Sequence, residues 1–302
     1  MTLDPAVVLV LAVHRDTRPV PPRVSLVVPV YNGMPYLKEL TASLLAQTFS
    51  DLEIIFSDGG STDGSVEFLR TVSDERVTVI DIPAGSGAAA NWTAATNAAR
   101  GEFTKLICQD DLLYPHAIAE QVQDLDANPE AVMAVATRDI IDARSKVLYR
   151  GRGLAGIDRE RASISGLAAL RACYLAGTNV LGEPLAVLFR TKALQSQMPW
   201  SDDNPLMLDL SLYQKVAPLG DVVLRRSPVG AFRVSDASWS TRLASSQAEQ
   251  TRRWQEAYAA GAVPPLSTRD RRVSAWGRRR QITTRRIAYT VLRLRGSLRT
   301  KG

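Results

Sequence analysis

Lys105-Leu106-Ile107-Cys108-Gln109-Asp110-Asp111-Leu112-Leu113 passes from an apolar run of strand type straight into two adjacent carboxylates. Such a break places Asp110 and Asp111 at the carboxyl end of a buried strand, where open α/β sheets present ligand-binding groups. Adjacent acids at a strand end suit a hard divalent cation. Mg²⁺ or Mn²⁺ held by one or two carboxylates commonly completes its shell with substrate phosphates and water. Standing alone, the pair would read as solvated turn or helix-capping aspartates. The segments before it argue otherwise.

Val24-Ser25-Leu26-Val27-Val28-Pro29-Val30 is β-branched and apolar almost throughout, as expected of a strand buried on both faces of a parallel sheet. Tyr31-Asn32-Gly33 breaks it, and Leu37, Leu40, Leu44 and Leu45 then recur at helical spacing from Pro35 to Gln47. A second strand, Leu52 to Ser57, ends at Asp58-Gly59-Gly60-Ser61-Thr62-Asp63-Gly64, where Ser61 or Thr62 can cap a helix running to about Asp74. A third strand, Val77 to Ile82, precedes a small-residue helix ending near Ala99, and Gly101 leads into Phe103 to Cys108. The alternation implies right-handed βαβ units on a mostly parallel sheet. Gly85-Ser86-Gly87 lacks the third glycine of a dinucleotide fingerprint and follows the wrong strand, so no nicotinamide cofactor is expected.

These segments resemble, in order and at the expected intervals, the motifs of family-2 glycosyltransferases of the GT-A fold. The resemblance rests on Val24 to Gly33, Ser57 to Gly64, Asn91 to Gly101 and Gln109-Asp110-Asp111, and it covers Arg23 to Pro115. It implies inverting transfer of a sugar from a nucleotide-diphosphate donor, by family habit a UDP-sugar, with Mn²⁺ or Mg²⁺ on the diphosphate. By position, Pro29, Tyr31 and Asn32 would border the nucleoside, Asp58 would accept from the base edge, Asp110 would face the ribose and Asp111 would hold the metal. The chain departs from the family twice. Cys108-Gln109-Asp110-Asp111 stands where many members have Asp-x-Asp-Asp, and Gly59 stands where many have a second Asp. Fewer carboxylates imply weak metal affinity without donor. Cys108 is expected to face the core.

Beyond Pro115, a helix to Asp126, a strand Ala131 to Thr137, a hairpin over Asp139 to Asp158 turning at Arg150-Gly151-Arg152-Gly153, and a helix Ile164 to Ala176 are expected. Asn179-Val180-Leu181-Gly182-Glu183-Pro184 precedes a strand Leu185 to Arg190. Similar Gly-Glu-Pro segments lie near the acceptor pocket in a bacterial branch of the resembling family, so Glu183 is either acceptor-binding or a simple turn carboxylate. Asp209 opens a helix among Leu206, Leu208, Leu210 and Leu212. An acid there is often a dipole contact, but the family's catalytic base occupies a similar place, after a Glu that is Leu208 here. Asp209 is taken as the base, with Asp202 or Asp203 as fallback. Val222 to Arg225 and Gly230 to Val234 read as closing strands, with Arg233 either meeting a phosphate or exposed. Ser235 to Ser240 has the look of the family's segment over the donor, leading into a helix to about Ala260.

Charge is uneven along the 302 residues. Thr268 to Gly302 carries eleven Arg and one Lys against Asp270, a local +11, while the whole chain is +6. The remainder is therefore near −5, and the tail, not the body, calls for an acidic partner. Ile282, Ile287, Val291, Leu294 and Leu298 fall at helical spacing among its arginines, giving a basic amphipathic helix with Trp276 and Tyr289 as interfacial anchors, or else a solvated helix packed on the body. The expected partner is an anionic membrane surface rather than nucleic acid. Two cysteines suit a reducing cytosol. The apolar run Ala6 to Val13 is too short to span a membrane and lacks the flanks of a signal peptide.

The expected organisation is a loose extension over residues 1–22, a GT-A domain over 23–265 and a basic tail over 266–302. The expected activity is cytoplasmic, metal-dependent glycosyl transfer to a glycan or lipid-linked acceptor of the cell envelope, peripheral on the inner face of the plasma membrane. Two rivals stay open: a nucleotidyltransferase of similar sheet, and a non-catalytic nucleotide-sugar or nucleic-acid binder.

Overall fold

The computed structural model describes residues 11–12, 20–236, 238, 241 and 246–298. The first half contains β1 (Leu11–Ala12), β2 (Val24–Val30), α1 (Tyr36–Leu45), β3 (Leu52–Asp58), α2 (Ser65–Arg70), β4 (Val77–Asp81), α3 (Gly87–Asn97) and β5 (Phe103–Leu106). Strands β4, β3, β2 and β5 lie side by side and parallel. Side chains alternate between two cores: Val27, Ile55 and Leu106 face one, and Leu26, Val28, Ile54 and Phe56 face the other. This double burial is why β2 and β3 carry no polar alternation. Of the stretch expected to be loose, Leu11–Ala12 pairs antiparallel with β4, and residues 1–10 and 13–19 lie outside the described residues.

The second half adds β6 (Leu112–Leu113), α4 (Ala117–Asp126), β7 (Ala131–Ile141), β8 (Val147–Arg152), β9 (Ser163–Ser165), α5 (Gly166–Ala176), β10 (Val187–Arg190), α6 (Thr191–Gln195), α7 (Leu208–Val216) and β11 (Asp221–Arg233). Strand β10 runs antiparallel to both β5 and β7 and so joins the halves, while β11 lies parallel to β7 and takes β6 on its far side. The chain thus leaves the parallel half at Leu106 and re-enters the sheet at Leu112 across the other half. Asp110 and Asp111 sit in that crossing.

Several expected boundaries move. Helix α2 starts after Gly64, whose φ of +90° no capping side chain accompanies, and ends at Arg70, short of Asp74. Ser61 and Thr62 cap nothing there, because Ser61 is turned to Asp58. The hairpin turns at Asp142–Lys146, where the Asp142 carboxylate accepts from the Arg144 and Lys146 amides, and Arg150 and Arg152 lie in the returning strand. The two closing strands are one, β11, with register shifts near Arg225 and Pro228. Residues 163–165 form a strand rather than the first turn of α5, and Ser165 caps that helix.

Helices α8 (Gln247–Gly261) and α9 (Thr268–Leu294) close the chain. Ser267 and Asp270 form a reciprocal capping box on α9. Its inner face buries Asp270, Ser274, Gly277 and Leu292. A Cβ on Gly277 would lie 2.4 Å from the Leu175 carbonyl oxygen, so α5 and α9 touch backbone to backbone. The apolar set expected on one face is divided. Leu298 is buried beside Leu292 and Val234, Tyr289 and Ile282 are half-buried, and Trp276, Ile287, Val291 and Leu294 are exposed. No helix among the described residues is long and apolar enough to cross a membrane.

Candidate active site

The loops after β2, β3 and β5 are knitted to one another at the carboxyl edge of the parallel strands. Asp58 ends β3 and accepts from the amides of Gly60 (2.8 Å) and Ser61 (2.9 Å) and from the Ser61 hydroxyl, so its carboxylate shapes its own loop. Asn32, at φ +50°, accepts the Thr62 amide (2.8 Å) on its side-chain oxygen, and its own amide donates to Ser61 Oγ. Pro29 is buried within β2, whereas Tyr31 is 60% exposed and free to stack. Gln109 accepts the Tyr31 amide (2.8 Å) and donates to the Tyr31 carbonyl (2.9 Å), locking the acidic turn to the first loop. Gly59 leaves room for Asn91, whose amide donates to the Val30 carbonyl; a Cβ there would meet Asn91 at 3.1 Å.

Asp111 is fully buried. Its Oδ1 accepts the Arg233 amide (3.0 Å), while its Oδ2 has no partner. Burial pushes the Asp111 carboxyl well up, with the neighbouring Asp110 adding to it, and burial raises Asp110 to about 6. An unpartnered buried carboxylate oxygen is a costly feature unless something arrives to meet it. Among the described residues no group of three or more acidic, His or Cys side chains is placed to hold a metal. The unpartnered Oδ2 of Asp111, with Asp110 next to it, would suit a divalent cation that takes most of its ligands from outside the protein.

Arg233 corrects both expectations for it, being neither exposed nor turned toward a phosphate. It is completely buried over the Tyr36 ring (4.3 Å) and donates to the Asp110 carbonyl (2.7 Å), Ser145 Oγ (2.8 Å), the Asp142 carbonyl (3.3 Å) and Glu39 (2.7 Å). The planar fork reaches the acidic turn, the Asp142–Lys146 turn and α1 at once, which is why an arginine can be buried there. It props the acidic turn from behind.

Asp209 lies at the start of α7. Its Oδ2 accepts from Asn179 Nδ2 (2.8 Å) and its Oδ1 from the Leu210 amide (2.6 Å). Burial, helped by the charge of Glu183, raises its carboxyl to about 7. Asn179 also bonds the Leu181 and Gly182 amides and the Gly182 carbonyl, so one side chain builds the turn and aims the acid. Glu183 is ion-paired with Arg138. Burial pushes its carboxyl up, but Arg138, with a smaller contribution from Arg285, holds it below its ordinary value. Asp202 and Asp203, the fallbacks, are exposed, and Asp203 accepts from Ser201. Cys108 packs against the core as expected, and its thiol is pushed well up by burial and by Asp111, Asp110, Asp209 and Glu183 in that order. The charges of carboxylates from distant parts of the chain are thus felt at one thiol. The segment from Ser235 to Ser240, expected over the donor, lies partly outside the described residues.

The family model described as glycosyl transferase family 2 matches residues 25–176, half of the chain. The chain belongs to glycosyl transferase family 2. An uncharacterized glycosyltransferase of Rickettsia typhi is 31% identical over 145 residues, 48% of this chain and 45% of that protein. The glycosyltransferase GlyG of Streptococcus pneumoniae is 36% identical over 110 residues, 35% of this chain and 36% of that protein. The chain thus spans less than half the length of these curated relatives. Among solved structures, residues 1–349 of S. aureus TarS in complex with UDP share the fold at a TM-score of 0.59 and 15% identity, over 84% of this chain and 70% of that one. A mannosyltransferase from Pyrobaculum calidifontis, in complex with GDP-Man and Mn²⁺, does so at 0.53 and 18%, over 91% and 88%. The architecture is that of the GT-A glycosyltransferases.

Asn179, Gln109, Arg138 and Glu39 had no role in the sequence reading. Gln109 lies inside the Gln109-Asp110-Asp111 motif and Asn179 opens the Asn179–Pro184 segment, but only the fold shows what their amides reach.

Proposed function

We propose that this family-2 enzyme is an inverting, metal-dependent transferase that moves a sugar from a nucleoside-diphosphate donor, UDP in first preference, to a hydroxyl of a cell-envelope acceptor. The observation carrying this reading is the pairing of two unlike acids: Asp111 with a buried oxygen left without a partner, and Asp209 raised to about 7. Tyr31, with Pro29 behind it, borders the nucleoside, and the loop shaped by Asn32 and Asp58 lies at the base edge. Asp110 faces the ribose. A divalent cation, Mn²⁺ or Mg²⁺, held by Asp111 and the donor would neutralise the leaving diphosphate.

Asp209 takes the proton of the acceptor hydroxyl as its oxygen bonds the anomeric carbon and the carbon–oxygen bond to the diphosphate breaks on the opposite face. A base titrating near 7 is matched to that task. Asn179 orients it, and Glu183, held by Arg138, lies at the acceptor side. We assign the transferase domain to residues 23–265 and a basic tail to 266–302, the tail resting on the anionic inner face of the plasma membrane, where the acceptor is either a glycan or lipid-linked.

A thermal-shift panel of nucleotide sugars with Mn²⁺ or Mg²⁺ tests the donor, since a ligand at a hundred times its Kd stabilises by roughly 2.7 kcal/mol. Product analysis then tests the chemistry. Nucleoside diphosphate and inverted anomeric configuration are expected, and release of pyrophosphate would favour nucleotidyl transfer instead.

A further inference from the structure

Helix α9 has two working faces. Toward the body, Arg285 donates to Thr178 Oγ1 (2.9 Å), next to Asn179, which holds Asp209. Beyond the helix, the Ser297 carbonyl accepts the Ala143 amide and the Leu298 carbonyl accepts the Asp236 amide. The tail therefore runs past the carboxylates of the acceptor side and at Leu298 lies beside the strand end that carries Arg233.

Outward, the helix presents Val273 (40% exposed), Trp276 (62%), Ile287 (61%), Val291 (38%) and Leu294 (83%). At 3.6 residues per turn these five fall within an arc of about 60°. Arg280 lies in the same arc, over the Trp276 ring at 5.1 Å, and exposed Arg272, Arg279 and Arg286 border one side of it. An apolar stripe facing solvent in this way marks a contact surface. Charge selects the occupant. The stripe belongs to a segment of +11, so a second copy laid against it would bring like charge to like charge. An anionic bilayer offers negative potential to the arginines and an apolar layer to the stripe, with tryptophan at the boundary.

We propose that the Val273–Leu294 stripe of α9 lies in the surface of an anionic bilayer, and that the acceptor is consequently lipid-linked, its reacting hydroxyl in the headgroup layer. The second half of this rests on the transferase reading above. The helix that carries the stripe also carries Arg285, which reaches Thr178 beside the Asn179–Asp209 pair, so docking would hold that pair on the order of one helix thickness, about 10–12 Å, or more from the bilayer. A short headgroup reaches that height with its lipid chain still in the bilayer, whereas a soluble glycan gains nothing from the arrangement.

The test is flotation of the full chain with phosphatidylcholine vesicles containing about a third phosphatidylglycerol, beside vesicles of phosphatidylcholine alone. Binding to the anionic vesicles only, weakened at about 1 M salt, is expected. Ile287→Ser/Leu294→Ser should bind at least about ten-fold more weakly, with its melting temperature unchanged. Flotation of the double variant equal to that of the parent, or none by the parent, overturns the docking. So does a dimer in sedimentation velocity that the double variant dissolves. With bacterial membrane lipid in the vesicles and a labelled donor found to bind, label should enter the organic phase; label in water-soluble glycan instead overturns the acceptor assignment. A chain that floats as expected but consumes no donor contradicts the transferase reading and not the docking.

Discussion

In the proposed reaction Asp209 carries the pH dependence. Its carboxyl is raised to about 7, and only the ionised form can accept a proton. kcat/KM should therefore rise with pH up to about 7 and level off above it. The same shift has a stability consequence of fixed sign. The folded state holds an extra proton between the ordinary carboxylate range and about 7, so this contribution is full in acid and lost as pH rises through 7. Asp209→Asn carries no such dependence, and its melting temperature relative to the parent should climb from pH 5 to pH 8. A difference that stays flat in thermal unfolding would mean that Asp209 is not perturbed. Asp209 and Asp111 were legible because each interrupts an apolar pattern. Asn179 was not, because an asparagine in a Gly-rich turn reads as turn chemistry and its second partner lies thirty residues on.

At the scale of elements, the acidic turn is held by the far end of β11. Arg233→Met would take the guanidinium donor from the Asp110 carbonyl, Ser145 and Glu39, leaving Glu39 only the Ser145 hydroxyl. Glu39 is half-exposed and can return to water, so a loss of about 3 kcal/mol is expected in urea unfolding, at the low end for a broken buried pair. A loss under about 0.5 kcal/mol, the range of ordinary surface substitutions, would show that Arg233 supports nothing. Sequence patterns gave the strands and helices of the parallel half because burial on two faces leaves an unbroken apolar run. They misplaced the hairpin turn because Arg150-Gly151-Arg152-Gly153 has the glycines of a turn, whereas the turn is made by Asp142 bonding its own backbone. The α5–α9 contact was invisible as well. A glycine within a helix announces flexibility, not close approach, yet Gly277→Val has no space against Leu175. That variant should free α9, read as new proteolysis within 268–294 while the body stays resistant; unchanged digestion would refute the backbone contact.

For the molecule as a whole, the proposed function rests on the crossing from β5 to β6, which carries the acidic turn from the parallel half into the mixed half where β11 and α7 supply Arg233 and Asp209. The tail is part of this arrangement. Its inner face buries Asp270, Ser274, Gly277 and Leu292, so removing it would bare α5, and point changes on its outer face are the cleaner probe. The +11 segment was legible from composition, but which of its residues face out depended on the packing of α9. The measurement that bears most directly on the two-acid reading is donor Kd by calorimetry beside kcat for Asp111→Asn and Asp209→Asn. Asp111→Asn should weaken metal-dependent donor binding and lower kcat with it. Asp209→Asn should keep near-normal donor affinity and lose transfer by about 10²–10⁴-fold, the usual contribution of a general base. An Asp209→Asn enzyme that retains more than about a tenth of the parent kcat, well short of that range, would contradict the assignment of Asp209 as the base.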